Sequence, residues 1–145
     1  HGYGEISAII LTMDEPVAVQ RLVRRLRKQH PEVPIIARAR DRVHTYELYS
    51  AGANDIVREM FDSSIRAGRY ALEHLGFTEF EASEAQRLFY HGDRDALAEL
   101  APLWDPKIPV AKNAPYIALA KQLDNQLETA IVTQMAEKPR TGTED

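Results

Sequence analysis

Three short apolar runs, Ile6–Leu11, Val33–Ala37 and Asp55–Val57, alternate with longer stretches whose apolar residues recur at helical spacing. Strands separated by whole helices cannot pair as hairpins. Each return to the same end of a sheet needs a crossover, which makes the sheet parallel and the connections right-handed. The expected class for residues 5–76 is therefore α/β, with three strands and three helices in strict alternation. Three strands are few for such a sheet and leave a parallel edge unpaired. A preceding N-terminal half or a second chain is expected to cover that edge.

Local signals place the elements. Asp14 reads as a cap and Pro16 as the first helical residue of a segment running to Gln29, with Val19, Leu22, Val23 and Leu26 on one stripe. Arg21, Arg24, Arg25, Arg27 and Lys28 fall mostly off it. Such a basic face suits phosphates or an acidic partner, or is simply solvated. The run at Val33 reads as a strand covered on both faces. Asp41 caps a second helix through Ala51, with Val43, Leu48 and Ala51 inward and Gly52 as its stop. A third helix runs from Phe61 to Leu75, with Phe61, Ile65, Gly68, Leu72 and Leu75 along one stripe and Gly76 ending it.

Beyond Gly76 the texture changes. A helical extension occupies 77–104, helical over Glu79–Tyr90, interrupted at His91-Gly92-Asp93, and resuming from Arg94 to Leu103. Residues 105–114, with Asp105-Pro106, Pro109 and Lys112-Asn113, read as a linker. Residues 115–137 form a last helix with Tyr116, Ala120, Leu123, Leu127, Ile131 and Met135 along one stripe. Residues 138–145 are polar and expected to be disordered. Residues 1–4 carry no fold argument and read as an added or linking segment.

Composition excludes several chemistries. With no cysteine, disulfides, thiolate metal sites and cysteine nucleophiles are ruled out. The net charge of −4 gives no reason to expect a nucleic-acid partner. No apolar run approaches the roughly 18 residues that a membrane span needs. There is no G-x-S-x-G elbow, no paired-histidine spacing, and no G-x-G-x-x-G or Walker loop. A catalytic or metal-binding reading thus finds no support, and no cofactor is expected within this chain.

Binding is better served. Val33-Pro34-Ile35-Ile36-Ala37 turns abruptly into Arg38-Ala39-Arg40-Asp41, so the strand delivers two guanidinium groups and a carboxylate to the carboxyl edge of its sheet. That is the edge where open α/β sheets bind ligands. Arg58 and Asp62 follow the end of the neighbouring strand, about 4.8 Å away in such a sheet. Arginine forks grip carboxylates and an aspartate can hold an ammonium group, so the matching guest is a zwitterionic or polycarboxylate small molecule. A self-satisfied arginine–aspartate network is the alternative.

The order and spacing of Ile35-Ile36-Ala37-Arg38-Ala39-Arg40-Asp41, Ser50-Ala51-Gly52-Ala53, Arg58-Glu59-Met60-Phe61 and Gly68-Arg69-Tyr70-Ala71-Leu72-Glu73-His74-Leu75-Gly76 resemble one family. It is the Kef-type potassium efflux systems, glutathione-gated potassium/proton antiporters, through their cytoplasmic KTN or RCK-like regulatory domain. The resemblance covers about residues 5–93. It implies the C-terminal half of a Rossmann-like domain joined in one polypeptide to a transmembrane antiporter on the cytoplasmic face of the inner membrane. It also implies a homodimer, a small-molecule effector, and a nucleotide bound in the N-terminal half that this chain lacks. Carried over by position, Asp41 and Arg58 match residues lining the glutathione pocket, with Arg40 beside them, and Asp62 matches a family glutamate near it. Asp93 falls where the family has an asparagine that contacts glutathione. A carboxylate there suits the peptide's ammonium and repels its carboxylates. The third helix crosses to the partner subunit in the family, which assigns Phe61, Ile65 and Leu72 to a dimer interface. The last helix is left to an ancillary subunit or the opposite protomer.

Two other classes share parts of this pattern. The second half of a phospho-accepting receiver domain has the same alternation. It keeps a lysine and proline where this chain has Arg58-Glu59, and a threonine or serine where it has Ala37-Arg38. A purely structural dimerisation module would need only the apolar stripes.

Overall fold

A computed structural model describes residues 5–136. The chain divides into two compact units, His1–Asp62 and Ser63–Asp145. The expected segments 1–4 and 138–145 lie outside the described residues, as does Glu137.

The first unit is built on strands β1 (Ile9–Leu11), β2 (Ile35–Ala39) and β3 (Asp55–Arg58), joined by helices α1 (Pro16–Gln29) and α2 (Arg42–Ala51). All pairing is parallel in the order β1-β2-β3, with Ile9 opposite Ile35, Ala37 opposite Ile56, and Ala39 opposite Arg58. Both crossovers advance in one direction across the sheet, so right-handedness puts both helices on one face. Leu11, Ile35, Ala37 and Ala39 are sealed there against Val19 and Val23 of α1 and Leu48 and Ala51 of α2. The other face is open. Ile10 is 69% exposed and Val57 47%, while Ile36 is half-buried. Coverage of both faces, expected from the apolar run, is thus not found among the described residues. A short apolar strand reads the same whether one or both of its faces are covered.

The first strand is also shorter than its apolar run, because Ile6 lies outside the ladder and is 45% exposed. Helix α1 has Glu15 rather than Asp14 at its N-cap, with no side-chain cap, and Pro16 opens it as expected. Asp14 instead pairs with Arg38 at the end of β2. Opposite charge in a side chain across the sheet edge has outcompeted the local backbone amides for that carboxylate.

At the opposite edge one side chain ties several segments together. Arg27 donates from Nε and Nη2 to Gly52 O at 3.0 and 2.8 Å, and from Nη2 to Asn54 Oδ1 at 2.6 Å. Its Nη1 reaches Val33 O at 2.8 Å, Pro31 O at 2.9 Å and His30 O at 3.1 Å. A cation here also suits the negative ends of two helices, since α1 and α2 both finish nearby. Asn54 Oδ1 in turn accepts the Ile35 N–H at 2.8 Å, which pins the start of β2. Gly52 caps α2 at φ 116°, and a Cβ there would stand 2.9 Å from Arg27 Cγ. Glycine is needed both for the left-handed backbone and for the arginine to lie flat.

The second unit holds most of α3 (Phe61–His74), with α4 (Glu79–Leu100) and α5 (Ala114–Ala136). Of the α3 stripe only Ile65 is buried; Phe61 and Leu72 are half-buried, and Gly68 and Leu75 are exposed. Gly76, at φ 98°, follows its end as expected. Thr78 opens α4 with a reciprocal cap, its hydroxyl accepting from Glu81 N while Glu81 accepts from Thr78 N.

Contrary to the expected break at His91-Gly92-Asp93, α4 runs unbroken through it. Gly92 is there for packing. A Cβ on it would lie 2.4 Å from Leu127 Cδ1 of α5, so the missing side chain lets α5 approach. The two helices run antiparallel, since Ala85 and Leu88 share a cleft with Ile131 and Met135. On α5 the expected stripe of Tyr116, Ala120, Leu123, Leu127, Ile131 and Met135 is the face turned from solvent. Residues 105–114 are not featureless, since Val110–Lys112 forms a 3₁₀ turn and Asn113 donates to Leu103 O at 2.7 Å.

Two stability outcomes follow from these contacts. Arg27→Ala should lower the free energy of urea unfolding by about 2–3 kcal/mol, the range for buried charge-assisted hydrogen bonds. Unchanged stability would show the clasp to be idle. At the α4–α5 crossing, Gly92→Ile should cost about 1–3 kcal/mol by overpacking. Gly92→Ala should stay within about 1 kcal/mol of the parent, because the Leu127 methyl can swing away and alanine favours helix.

Candidate functional site

The carboxyl edge of the sheet is where β2 releases Arg40 and Asp41 and β3 releases Glu59 to Asp62. Because Ala39 lies opposite Arg58, and Glu59 N donates to Ala39 O at 3.0 Å, the two exits are held side by side. Arg40, Asp41, Arg58 and Asp62 are therefore grouped along one rim of the first unit.

The backbone of this rim is tightly specified. Asp41 caps α2, its Oδ1 accepting from His44 N at 2.8 Å, and its carbonyl accepts from Thr45 N and Thr45 Oγ1 at 3.0 and 2.9 Å. The carboxylate is exposed, so its second oxygen still faces solvent. One residue earlier, the Arg40 N–H donates to His44 Nδ1 at 2.9 Å. An acceptor Nδ1 fixes the neutral ring with its proton on Nε2, and that nitrogen is buried with no partner among the described residues. At 5% exposure His44 is an interior post holding the Arg40–Asp41 turn in place. The signal available in the sequence was its position three residues after a capping aspartate, where a side chain can fold back onto the preceding strand end.

The cations of the rim differ in their use. Arg38 is engaged by Asp14. The Arg40 side chain is exposed. The Arg58 guanidinium carbon stands 3.8 Å above the centre of the Phe61 ring, in a cation–π stack that spans the first turn after β3. Stacking holds the fork in a fixed plane while leaving its edge donors directed sideways. Asp62, one residue further on, is exposed. Within this rim, Arg38 is claimed by a carboxylate and Asp41 by the helix it caps.

Asp93 lies in the second unit on α4, where it is buried at 7% exposure. Ile65 and Leu72 lie on α3 of that unit, and Phe61 ends the first unit under Arg58. Among the described residues, no group of three histidines or carboxylates is placed to hold a metal ion. No helix among them is long and apolar enough to cross a membrane.

Comparison with known proteins divides the chain at the same place as its packing. Residues 63–145 match the potassium efflux system KefB C-terminal domain family, and residues 1–59 match the TrkA-N domain family. Among solved structures, a Kef C-terminal domain from Shewanella denitrificans in its AMP-bound form is 35% identical with a TM-score of 0.66. The match covers 68% of this chain and 63% of that one, so the present chain spans less than two thirds of its relative.

The doubled use of Asp41, as cap and as rim carboxylate, can be separated by substitution. Asp41→Asn should leave the urea midpoint nearly unchanged, because asparagine caps as well as aspartate, whereas Asp41→Ala should cost about 1 kcal/mol. Equal losses in both would mean that the charge, not the cap, is the stabilising feature.

Proposed function

The chain belongs to the Kef-type potassium efflux family through its C-terminal regulatory domain, and we propose that it gates a potassium/proton antiporter by binding glutathione or a related small anionic ligand. The single observation that carries this reading is the grouping of Arg40, Asp41, Arg58 and Asp62 at adjoining strand exits. Arg58 is stacked in a fixed plane and meets a carboxylate through its edge, while Asp41 and Asp62 offer oxygens to an ammonium group. A peptide with one ammonium and two carboxylates matches that mixture of signs. Asp93, on α4 of the second unit, is assigned to ligand binding on the family correspondence alone, and a carboxylate at that position would favour an ammonium group.

On this reading the domain is a homodimer on the cytoplasmic face of the inner membrane, attached to the transmembrane antiporter of the same polypeptide. Phe61, Ile65 and Leu72 of α3 contribute to the dimer contact on this reading; the half burial of Phe61 and Leu72 is in keeping with it, whereas Ile65 is already buried within the chain. An ancillary subunit or the opposite protomer is the candidate neighbour of α5. The domain is regulatory and carries no catalytic residues. The nucleotide that the relative binds is assigned to a half of the domain preceding β1. Among the described residues, no glycine-rich loop presents a row of amides to phosphate. The ligand acts by binding one arrangement of the regulatory domain more tightly than another, and the transport domain follows that difference. The family match removes the receiver-domain alternative.

Calorimetric titration of the complete regulatory domain with glutathione, a glutathione conjugate and AMP tests the proposal. Heat with a thiol ligand that is lost in Arg58→Ala, with the thermal melt of that variant within a few degrees of the parent, is the expected result. Heat with AMP alone would leave a nucleotide sensor and remove the glutathione reading.

A further inference from the structure

The basic face of α1 takes no part in the rim. Arg21, Arg24, Arg25 and Lys28 recur at i, i+3, i+4 and i+7, so they form one longitudinal stripe. All four are exposed, and none has an ion pair or hydrogen bond among the described residues. The fifth cation of the helix, Arg27, points the other way into its carbonyl clasp. The stripe is a segregation of charge rather than an excess, since residues 1–62 hold nine lysines and arginines against nine carboxylates. A merely solvated helix face would gain from interspersed acids at i+4, and α1 has none between Pro16 and Gln29.

A second feature lies at the same end of the molecule. Val17, one turn before Arg21 on the same stripe, is 56% exposed, and Met13 in the preceding turn is 46% exposed. Apolar side chains at one end of a row of long cations make the pattern that inserts shallowly at a lipid headgroup boundary while the cations stay at phosphate level. Nucleic acid fits less well. Its affinity grows with the number of phosphates neutralised, the chain is acidic overall, and exposed aliphatic groups contribute nothing to phosphate contacts.

We propose that the Arg21–Arg24–Arg25–Lys28 face of α1, with Met13 and Val17 at its end, docks on the anionic phospholipid surface of the membrane. This rests on the proposed attachment to a transmembrane antiporter, which supplies the surface, and it is independent of the ligand rim. Docking through α1 ties the helix side of the first unit to the bilayer. Attraction of this type adds up residue by residue within a Debye length and weakens with salt.

Sedimentation of the full chain with vesicles of phosphatidylcholine alone, or of phosphatidylcholine with phosphatidylglycerol, tests the proposal. The chain should partition only to the anionic vesicles, and raising sodium chloride should release it. The variant Arg21→Gln/Arg24→Gln/Arg25→Gln/Lys28→Gln should bind on the order of a thousandfold more weakly, as expected for removing four surface-attracted cations. A milder pair, Arg24→Gln/Lys28→Gln, should lose roughly thirtyfold on the same basis. Circular dichroism and urea midpoints of both should match the parent, since glutamine is a good helix former.

Equal partitioning of parent and fourfold variant, or no partitioning of the parent, would overturn the proposal. So would capture of the chain by a polyglutamate peptide without any binding to vesicles, which would assign the face to an acidic protein segment. Glutathione titration of the fourfold variant should be unchanged. Vesicle binding without any glutathione heat would remove the ligand reading alone and leave the lipid face standing.

Discussion

The clasp made by Arg27 is the interaction on which the first unit depends. One guanidinium group accepts no proton and needs none. It hands its donors to carbonyls at the end of α1, in the loop before β2, at the end of α2, and to Asn54 before β3. Each of those segments would otherwise end with unpaired acceptors close to a helix terminus. A single charged fork at their convergence satisfies them together and fixes the spacing between crossovers. The conformation of Gly52 belongs to the same device, because any Cβ would push the arginine stem away. Among the described residues no carboxylate pairs with Arg27, so the cation is held by backbone carbonyls and the Asn54 amide oxygen.

Concentrating the structural polar chemistry at the amino edge leaves the carboxyl edge for other work. There the polar groups are held in place by small, local interactions: a capping carboxylate, a histidine ring behind the strand exit, an aromatic ring beneath a guanidinium. Each fixes a backbone turn or the plane of a side chain. Asp41 keeps an oxygen toward solvent and Arg58 keeps its edge donors in a plane. His44 is the exception, with a buried Nε2 that the described residues leave unsatisfied. An orphaned donor costs about 1–3 kcal/mol, so its retention at a strand exit means that positioning the Arg40–Asp41 turn is worth that penalty.

Much of this was legible because local rules and tertiary packing agree. Pro16, Asp41, Gly52 and Gly76 mark helix ends where they were expected, and the α5 stripe from Tyr116 to Met135 is the face turned from solvent. The parallel alternation followed from the same periodicities. The failures share a cause: a residue with a strong local habit was taken over by a distant partner. Asp14 gave up capping for Arg38, and Gly92, a helix breaker by habit, became the notch for Leu127. Arg27 read as one more cation on a basic face, since nothing in its neighbours shows that five oxygen acceptors converge on it. Coverage of the sheet was misjudged because a short apolar run such as Val33–Ala37 carries no information about how many faces it seals.

The division at Asp62/Ser63 bears on how such a domain would transmit a signal. Packing and family boundaries coincide there, and Arg58 and Asp62 are among the last charged residues before it. Helix α3 begins in one unit under Arg58 and continues into the other, so the stacked Arg58–Phe61 turn is covalently the start of the second unit's first helix. A ligand that gripped Arg58 would act on the root of that helix. A grip of equal strength in every arrangement would change nothing, however tight. Regulation on this plan requires that the fork meet its guest in only some orientations of the turn. The short, stiff linkage from β3 through Phe61 is suited to that, because a planar cation locked over a ring loses its fit when the turn rotates.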